Sequence, residues 1–297
     1  MASSPPQNIV MTKMQLFDSL PLLRATLAAY KLHGKTVGLV PTMGNLHAGH
    51  LALVATARAQ CDVVITTIFV NPLQFGANED LARYPRSFAA DIKNLEQSAC
   101  DVLYAPTTTE IYPHGTVVHT KISVPELSAL HCGYTRPGHF DGVCTVVAKL
   151  FNIIQPDKAF FGYKDYQQFH LISTMVSDLQ IPLQVYGIAT MRESSGLALS
   201  SRNVYLSTTD RNNAAALFAT LQESALQIMG GEHNFRQIEA RASGTLNKVG
   251  LKTDYVHICN RSTLHLASIG DTDLIILAAV YAGTTRLIDN IFVQITI

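Results

Sequence analysis

Cysteine is sparse and scattered in this chain. Its five cysteines, Cys61, Cys100, Cys132, Cys144 and Cys259, are odd in number and show no CxxC spacing. That excludes a disulfide framework and a cysteine zinc site, and a reducing compartment, the cytoplasm, is expected. Charge is scarce too. Asp, Glu, Lys and Arg make up 15% of the residues, and 22 basic residues balance 22 acidic ones. Without a basic excess, no nucleic-acid partner is expected, and a tRNA-charging enzyme is disfavoured. The longest strongly apolar run, Leu274 to Ala282, falls well short of the ~20 residues a membrane helix needs. The opening Met-Ala-Ser-Ser-Pro-Pro-Gln-Asn has no apolar stretch, so no secretory signal is expected and the first eight residues read as a loose extension. No internal repeat is evident.

Apolar side chains are plentiful, at 47% of the 297 residues, which is ample for a real core. Val37–Val40, Val63–Val70 and Val102–Ala105 read as buried strands, being β-branched and bounded by turn residues. Ala159–Phe161 and Leu183–Ile188 read as two more. Phe88, Ile92, Leu95 and Ala99 form one helix face, with Ser87 as its N-cap, and Val143–Ile154 is an apolar helix stopped by Gln155-Pro156. Strands alternating with helices imply parallel crossovers, hence an α/β doubly wound sheet with its ligand at the carboxyl ends of the strands. After about residue 190 the texture changes. Helices over Thr208–Met229 and Asn234–Lys248 precede strands at Asp254–Cys259, Leu274–Tyr281 and Arg286–Ile297. The expected division is a nucleotide-binding domain over 1–190 and a smaller α+β domain over 191–297.

Four clusters carry chemistry. Val40-Pro-Thr-Met-Gly-Asn-Leu-His-Ala-Gly-His50 runs from a strand into a helix, with His47 and His50 three residues apart. A helix N-terminus favours phosphate, and two imidazoles there can donate to phosphoryl oxygens. Two histidines that only cap and pack are the plain alternative. A metal site lacks a neighbouring Glu or Cys at ligand spacing. Phe69-Val-Asn-Pro-Leu-Gln-Phe75 offers the amides of Asn71 and Gln74, although Asn-Pro is also a simple strand-ending turn. In Phe161-Gly-Tyr-Lys-Asp-Tyr-Gln-Gln168, Lys164 can contact phosphates and Asp165 a ribose hydroxyl, or both can be solvated helix-start residues. Leu197-Ala-Leu-Ser-Ser-Arg-Asn203 is either a compact anion-binding loop or an exposed serine turn. In Arg136-Pro-Gly-His-Phe-Asp-Gly142, Arg136 closes over a carboxylate or the loop is only a tight connection.

With these clusters in one order, the sequence resembles the pantothenate synthetase family, the AMP-forming ligases of pantoate and β-alanine. Glu79–Arg86, Arg136–Phe140 and Thr284–Asn290 share the resemblance, which is dense from about 37 to 206. It implies a Rossmann-like nucleotidyltransferase fold, a homodimer, ATP as co-substrate and Mg²⁺, with no protein metal ligands assigned. It further implies that Met43, Gly44, Asn45, Leu46, His47, Ala48, Gly49 and His50 line the ATP site, with His50 as the catalytic histidine and His47 beside it. Gly162, Tyr163, Lys164 and Asp165, then Leu199, Ser200, Ser201 and Arg202, would complete the nucleotide site. The backbone of Met191 would meet the adenine, and Gln74 and Gln168 would hold pantoate. Tyr163 stands where the family commonly has Glu, and Ser195 replaces a common acidic residue. The implied reaction forms pantoyl-adenylate and pyrophosphate, then pantothenate and AMP. Two other readings stand beside it. One is a related nucleotidylyltransferase with a phosphate-bearing acceptor, the other a non-enzymatic nucleotide sensor. The segment 191–203 is expected to be a moving lid, or else a fixed interdomain strap.

Overall fold

The computed structural model describes residues 13–77 and 79–295. The expected N-terminal extension, and the last two positions of the strand expected to end at Ile297, lie outside the described residues. Among the described residues the strands form two sheets. The first is parallel, in the order β1-β4-β3-β2-β5-β6, from β1 (Gln15–Phe17), β2 (Val37–Thr42), β3 (Val63–Ile68), β4 (Val102–Tyr104), β5 (Lys158–Gly162) and β6 (Gln184–Ile188). The second is antiparallel, in the order β7 (Lys252–Asn260), β8 (Asp273–Ala282) and β9 (Thr285–Gln294).

Alternate residues of the parallel strands serve two cores, as the period of two requires. Val37, Leu39, Val63, Ile65, Val102 and Phe161 pack with the helices Leu20–Leu32, His139–Ile154 and Tyr166–Asp178. Val40, Val64, Leu103 and Phe160 face the other way, onto Ala48–Gln60 and Phe88–Gln97. The sheet is therefore doubly wound, and its strands read as continuous apolar runs because both faces are covered. In the antiparallel sheet, Val256, Ile258, Ile276 and Ala278 pack on Ala216–Met229 and Phe235–Lys248. Its opposite face sends Cys259, Ile275 and Leu277 into the first core, so the two sheets share buried surface.

The progression of strands reverses at β2, which pairs with β3 on one side and β5 on the other. Ligands in open α/β sheets bind at such a switch point. Each of the first three chemical clusters leaves the carboxyl end of one of these strands.

Several expectations are corrected. The helix Phe88–Gln97 buries Leu95 but leaves Phe88 43% exposed, and Ala99 lies past its end; the fully buried partner of Leu95 is Asp91. Ser87 sits at the N-cap, yet its hydroxyl donates to Asp91 Oδ1 and Asn45 Oδ1 rather than accepting a helix N–H. β3 stops at Ile68, two residues early, where the chain turns toward Asn71. The apolar helix begins at His139, four residues before Val143. The stretch Thr208–Met229 is divided at Ala215, whose φ of −60° and ψ of −27° keep it nearly continuous.

Candidate active site

The loop after β2 is shaped by one buried carboxylate. Asp91 accepts from the backbone N–H of Asn45 (2.9 Å) and of Leu46 (2.8 Å), and from the Ser87 hydroxyl (3.0 Å). Gly44 adopts φ +81°, and a Cβ there would meet Ile68 at 3.1 Å and Asp91 at 3.2 Å. The turn delivers His47 to the N-cap of Ala48–Gln60. The Gly49 N–H donates to His47 Nδ1 (3.1 Å) and the His47 N–H donates to His50 Nδ1 (3.3 Å). A side chain at 49 would strike the His47 ring at 2.9 Å, so glycine lets the ring fold back over the helix start.

Those two bonds fix the chemistry of the pair. A neutral imidazole whose Nδ1 accepts carries its proton on Nε2. Burial, then the positive charge of Lys164, pushes His47 down to about 4, against an opposing pull from Asp165. Burial, then His47 and Lys164, pushes His50 down to about 3. At neutral pH both rings are uncharged Nε2–H donors, with centroids 4.0 Å apart.

A cavity of about 220 Å³ lies at the switch point, and most of the expected residues line it. Met43, His47, Gly49 and His50 come from the first loop, Gln74 from the second, Gly162, Lys164, Asp165 and Gln168 from the third. Met191, Leu199, Ser200, Ser201 and Arg202 come from the fourth segment. Gly44, Asn45, Leu46, Ala48 and Tyr163 are absent from the lining. Asn45 and Leu46 offer their N–H groups to Asp91, and Ala48 is exposed in the first helical turn. Lys164, Asp165, Gln168, Ser200 and Arg202 also line a larger cavity, about 680 Å³, between the two sheets.

Asn71 behaves as the strand-ending turn explains. It is buried, caps the turn Pro72–Gln74, donates to the Gly142 carbonyl (3.1 Å) and accepts from Tyr112 (2.9 Å). Gln74 is held from behind by the Arg136–Gly142 loop. Its carbonyl accepts from His139 Nδ1 (2.7 Å) and Arg136 Nη2 (3.2 Å), while Arg136 pairs with both oxygens of Glu79. Arg136 thus serves as the tight connection. Its guanidinium and burial, the latter dominant, depress His139 to about 4.

In the fourth segment, Ser200 accepts from the Arg202 N–H (3.2 Å) and Ser201 donates to the Asn45 carbonyl (3.1 Å). Arg202 places Nε and Nη2 on the two oxygens of Asp80 at 3.0 and 2.8 Å. Segment 191–203 has more anchors than its composition suggests: Leu197, Ala198, Ser201 and Asn203 are buried. The two departures from the family pattern have local uses. The Tyr163 ring packs against Tyr166, Phe169 and Phe292. Ser195 accepts from the Leu197 N–H at 3.4 Å.

Asp91, His139 and Asn290 were missed by sequence reasoning. The signal for Asp91 was a carboxylate four residues from a core leucine inside an otherwise apolar helix face. For His139 it was a histidine at the mouth of an apolar helix. Asn290, which reaches the third loop, lay in the 284–290 segment that carries the family resemblance, but nothing local assigned it a role.

A doubly wound parallel sheet with paired neutral histidines at its switch point defines a Rossmann-like α/β enzyme. Comparison with known proteins gives the family. The family model of pantoate-beta-alanine ligase matches residues 15–292. Pantothenate synthetases of Pseudomonas putida and Hahella chejuensis are 51% and 52% identical over 273 residues, covering 92% of this chain and 95% and 96% of theirs. The crystal structure of the Thermus thermophilus pantothenate synthetase superposes with TM-score 0.88 at 42% identity, covering 94% of this chain and 99% of that one. The Francisella tularensis pantoate-beta-alanine ligase, complexed with β-γ ATP and β-alanine, gives 0.79 at 34% identity, with 94% and 97% covered. This chain belongs to the pantoate–β-alanine ligase family. Its activity is the ATP-dependent condensation of pantoate with β-alanine.

Proposed function

We propose that the condensation proceeds through pantoyl-adenylate, with the residues of the 220 Å³ cavity in the following roles. A carboxylate oxygen of pantoate attacks the α-phosphorus of ATP and pyrophosphate leaves. The amine of β-alanine then attacks the activated carbonyl, giving pantothenate and releasing AMP. His47 and His50 donate from Nε2 to the α-phosphoryl oxygens as charge develops there, a preorganised stabilisation that needs no proton transfer. Gln74 and Gln168 hold pantoate by their amides, and Gln74 also borders β-alanine. Lys164, Ser200, Ser201 and Arg202 receive the β- and γ-phosphates, Asp165 the ribose, and the backbone of Met191 the adenine. Gly162 and Leu199 shape that nucleotide site, and Tyr163 supports it from behind through its backbone and its packing on Phe292. The observation that carries this reading is the pair of Nδ1 atoms committed to backbone N–H groups, which leaves both Nε2–H donors for the cavity that Gln74 and Gln168 also line.

Mg²⁺ suits this site as a nucleotide-borne ion. Among the described residues no cluster of three or more His, Cys, Asp or Glu side chains is arranged to hold a metal. Magnesium commonly binds through phosphates and water with one or two carboxylates, and Asp165 lies beside Lys164 at 3.9 Å. It would neutralise charge on the β- and γ-oxygens. We assign residues 1–190 to the catalytic domain and 191–297 to the smaller domain, with 191–203 as a lid that closes on the triphosphate. A cytoplasmic homodimer completes the proposal. The five free, buried cysteines support the reducing compartment, and among the described residues no helix is long and apolar enough to cross a membrane.

The test of the route is isotopic. Pantoate labelled with heavy oxygen at its carboxylate should pass one label into AMP, read by mass spectrometry. Label in inorganic phosphate, accompanied by ADP, would establish an acyl-phosphate route instead.

A further inference from the structure

The segment Thr284–Asn290 resembles a family signature, yet it runs from the turn before β9 into that strand, outside the histidine cavity. Of its three buried polar residues, Thr285, Asp289 and Asn290, the last two reach across to the loops after the parallel strands. Asp289 accepts Arg192 Nη1 on Oδ2 at 2.5 Å and Nη2 on Oδ1 at 2.9 Å. Arg192 begins the fourth segment, donates also to the Gly196 carbonyl (3.1 Å) and lies on the Phe218 ring, 3.4 Å from its centroid. Asp289 Oδ1 accepts in addition from the Asn290 N–H at 2.8 Å, which orients that residue. Asn290 Nδ2 then donates both its protons, to the carbonyls of Tyr163 (2.8 Å) and Lys164 (3.0 Å).

One carboxylate and one amide, adjacent in sequence, therefore hold both segments that carry phosphate-facing cations. Fixing the Lys164 carbonyl fixes the point from which its side chain leaves the backbone. Fixing Arg192 fixes the root of the segment that ends at Arg202. A pair with only a packing role would have no need of two carbonyls in the same loop. An amide donor matches them, whereas a carboxylate of the same shape would oppose them.

We propose that Asp289 and Asn290 are positioning residues, a clasp through which the antiparallel sheet sets the Lys164 turn and the 191–203 segment for the triphosphate. This rests on the reading of Lys164 as a phosphate contact. The clasp acts through Lys164, so its effect belongs to ATP rather than to the other two substrates.

The test is a double-mutant cycle on the purified enzyme, with KM measured for each substrate. Asn290→Ala, which removes both carbonyl contacts, should raise the KM for ATP about tenfold and leave the KM for β-alanine within about twofold. Asn290→Asp should do at least as much. In a Lys164→Ala background, Asn290→Ala should add almost nothing, because the group it positions has gone. If Asn290→Asp does not fold, Asn290→Ala alone carries the comparison through Lys164, and Asp289→Asn tests the Arg192 arm, again expected to raise the KM for ATP and not that for β-alanine. Equal KM changes for all three substrates, or an undiminished Asn290→Ala effect without Lys164, would show a structural role only and overturn the clasp. A Lys164→Ala enzyme with unchanged KM for ATP would overturn the phosphate reading itself, and the clasp with it.

Discussion

The two segments proposed to face the nucleotide are held in opposite ways. The 43–50 loop is anchored within its own sheet layer: one carboxylate, Asp91, takes two of its N–H groups, and the histidines cap each other's helix turn. The 191–203 segment is anchored mainly by distant partners, with Asp80 on Arg202, Asp289 on Arg192 and the Asn45 carbonyl on Ser201. The first arrangement is cooperative with the fold and stays fixed. In the second, buried Asp289 holds the root at Arg192, while the more open Arg202–Asp80 pair is the one a polyanion can compete for.

The largest expected effect removes chemistry from the fixed loop while leaving its anchor in place. His50→Ala should slow adenylate formation by ~10²–10³, the scale of losing a preorganised donor to developing charge, with a stability loss no larger than one helix cap, about 1 kcal/mol. Single-turnover adenylation at the wild-type rate in a folded variant would take the role away from His50. Next comes the anchor itself. Asp91→Ala leaves two buried N–H groups without an acceptor and should cost about 2–4 kcal/mol of stability, read by denaturant unfolding. Adenylation should fall with it; a stable variant of normal activity would mean the loop holds its shape unaided.

Acid should sharpen the contrast further. The native His47 and His50 titrate near 4 and near 3, below the ordinary 6.5. Between those values the unfolded chain binds more protons than the native one, so stability rises with pH through that window and levels above about 6.5. At pH 5, unfolding should take up about two protons that a His47→Gln, His50→Gln variant does not. Parallel midpoint-versus-pH curves for the two proteins would refute the depressed values. The smallest effect separates the segments directly. Hydrogen exchange across 191–203 should slow when ATP or a non-reactive acyl-adenylate analogue is added, while the amides of Asn45 and Leu46 change little. Equal protection of 191–203 with and without nucleotide would make it a fixed strap.

How much of this was legible in the sequence follows the same division. β2, β3, β5 and the 43–50 loop were readable because their constraints are local: β-branched runs buried on both faces, and a glycine-flanked histidine pair where a strand meets a helix. β1 was not, since three residues, the first two of them exposed, carry no period. Asp91 interrupts an apolar face, so a reading based on spacing stepped over it. The partners of the 191–203 segment were invisible for a different reason. Arg192 and Asp289 are 97 residues apart, Arg202 and Asp80 122, and no local pattern records such pairings. The Tyr163 departure became intelligible only when its ring was seen against Phe292 of β9.

The pairing of Arg202 with Asp80 changes what nucleotide capture means energetically. The guanidinium fork is already satisfied by a carboxylate with matching geometry, so a phosphate reaching it exchanges one charge-assisted pair for another. Affinity at that point is a difference, and it favours ligands with several negative charges close together. ATP and pyrophosphate meet that condition. AMP, whose single phosphate the proposed reading places at the histidines, does not. On the proposed reading, once pyrophosphate has gone the arginine pairs with Asp80 again, and AMP leaves without having to break a contact to that guanidinium.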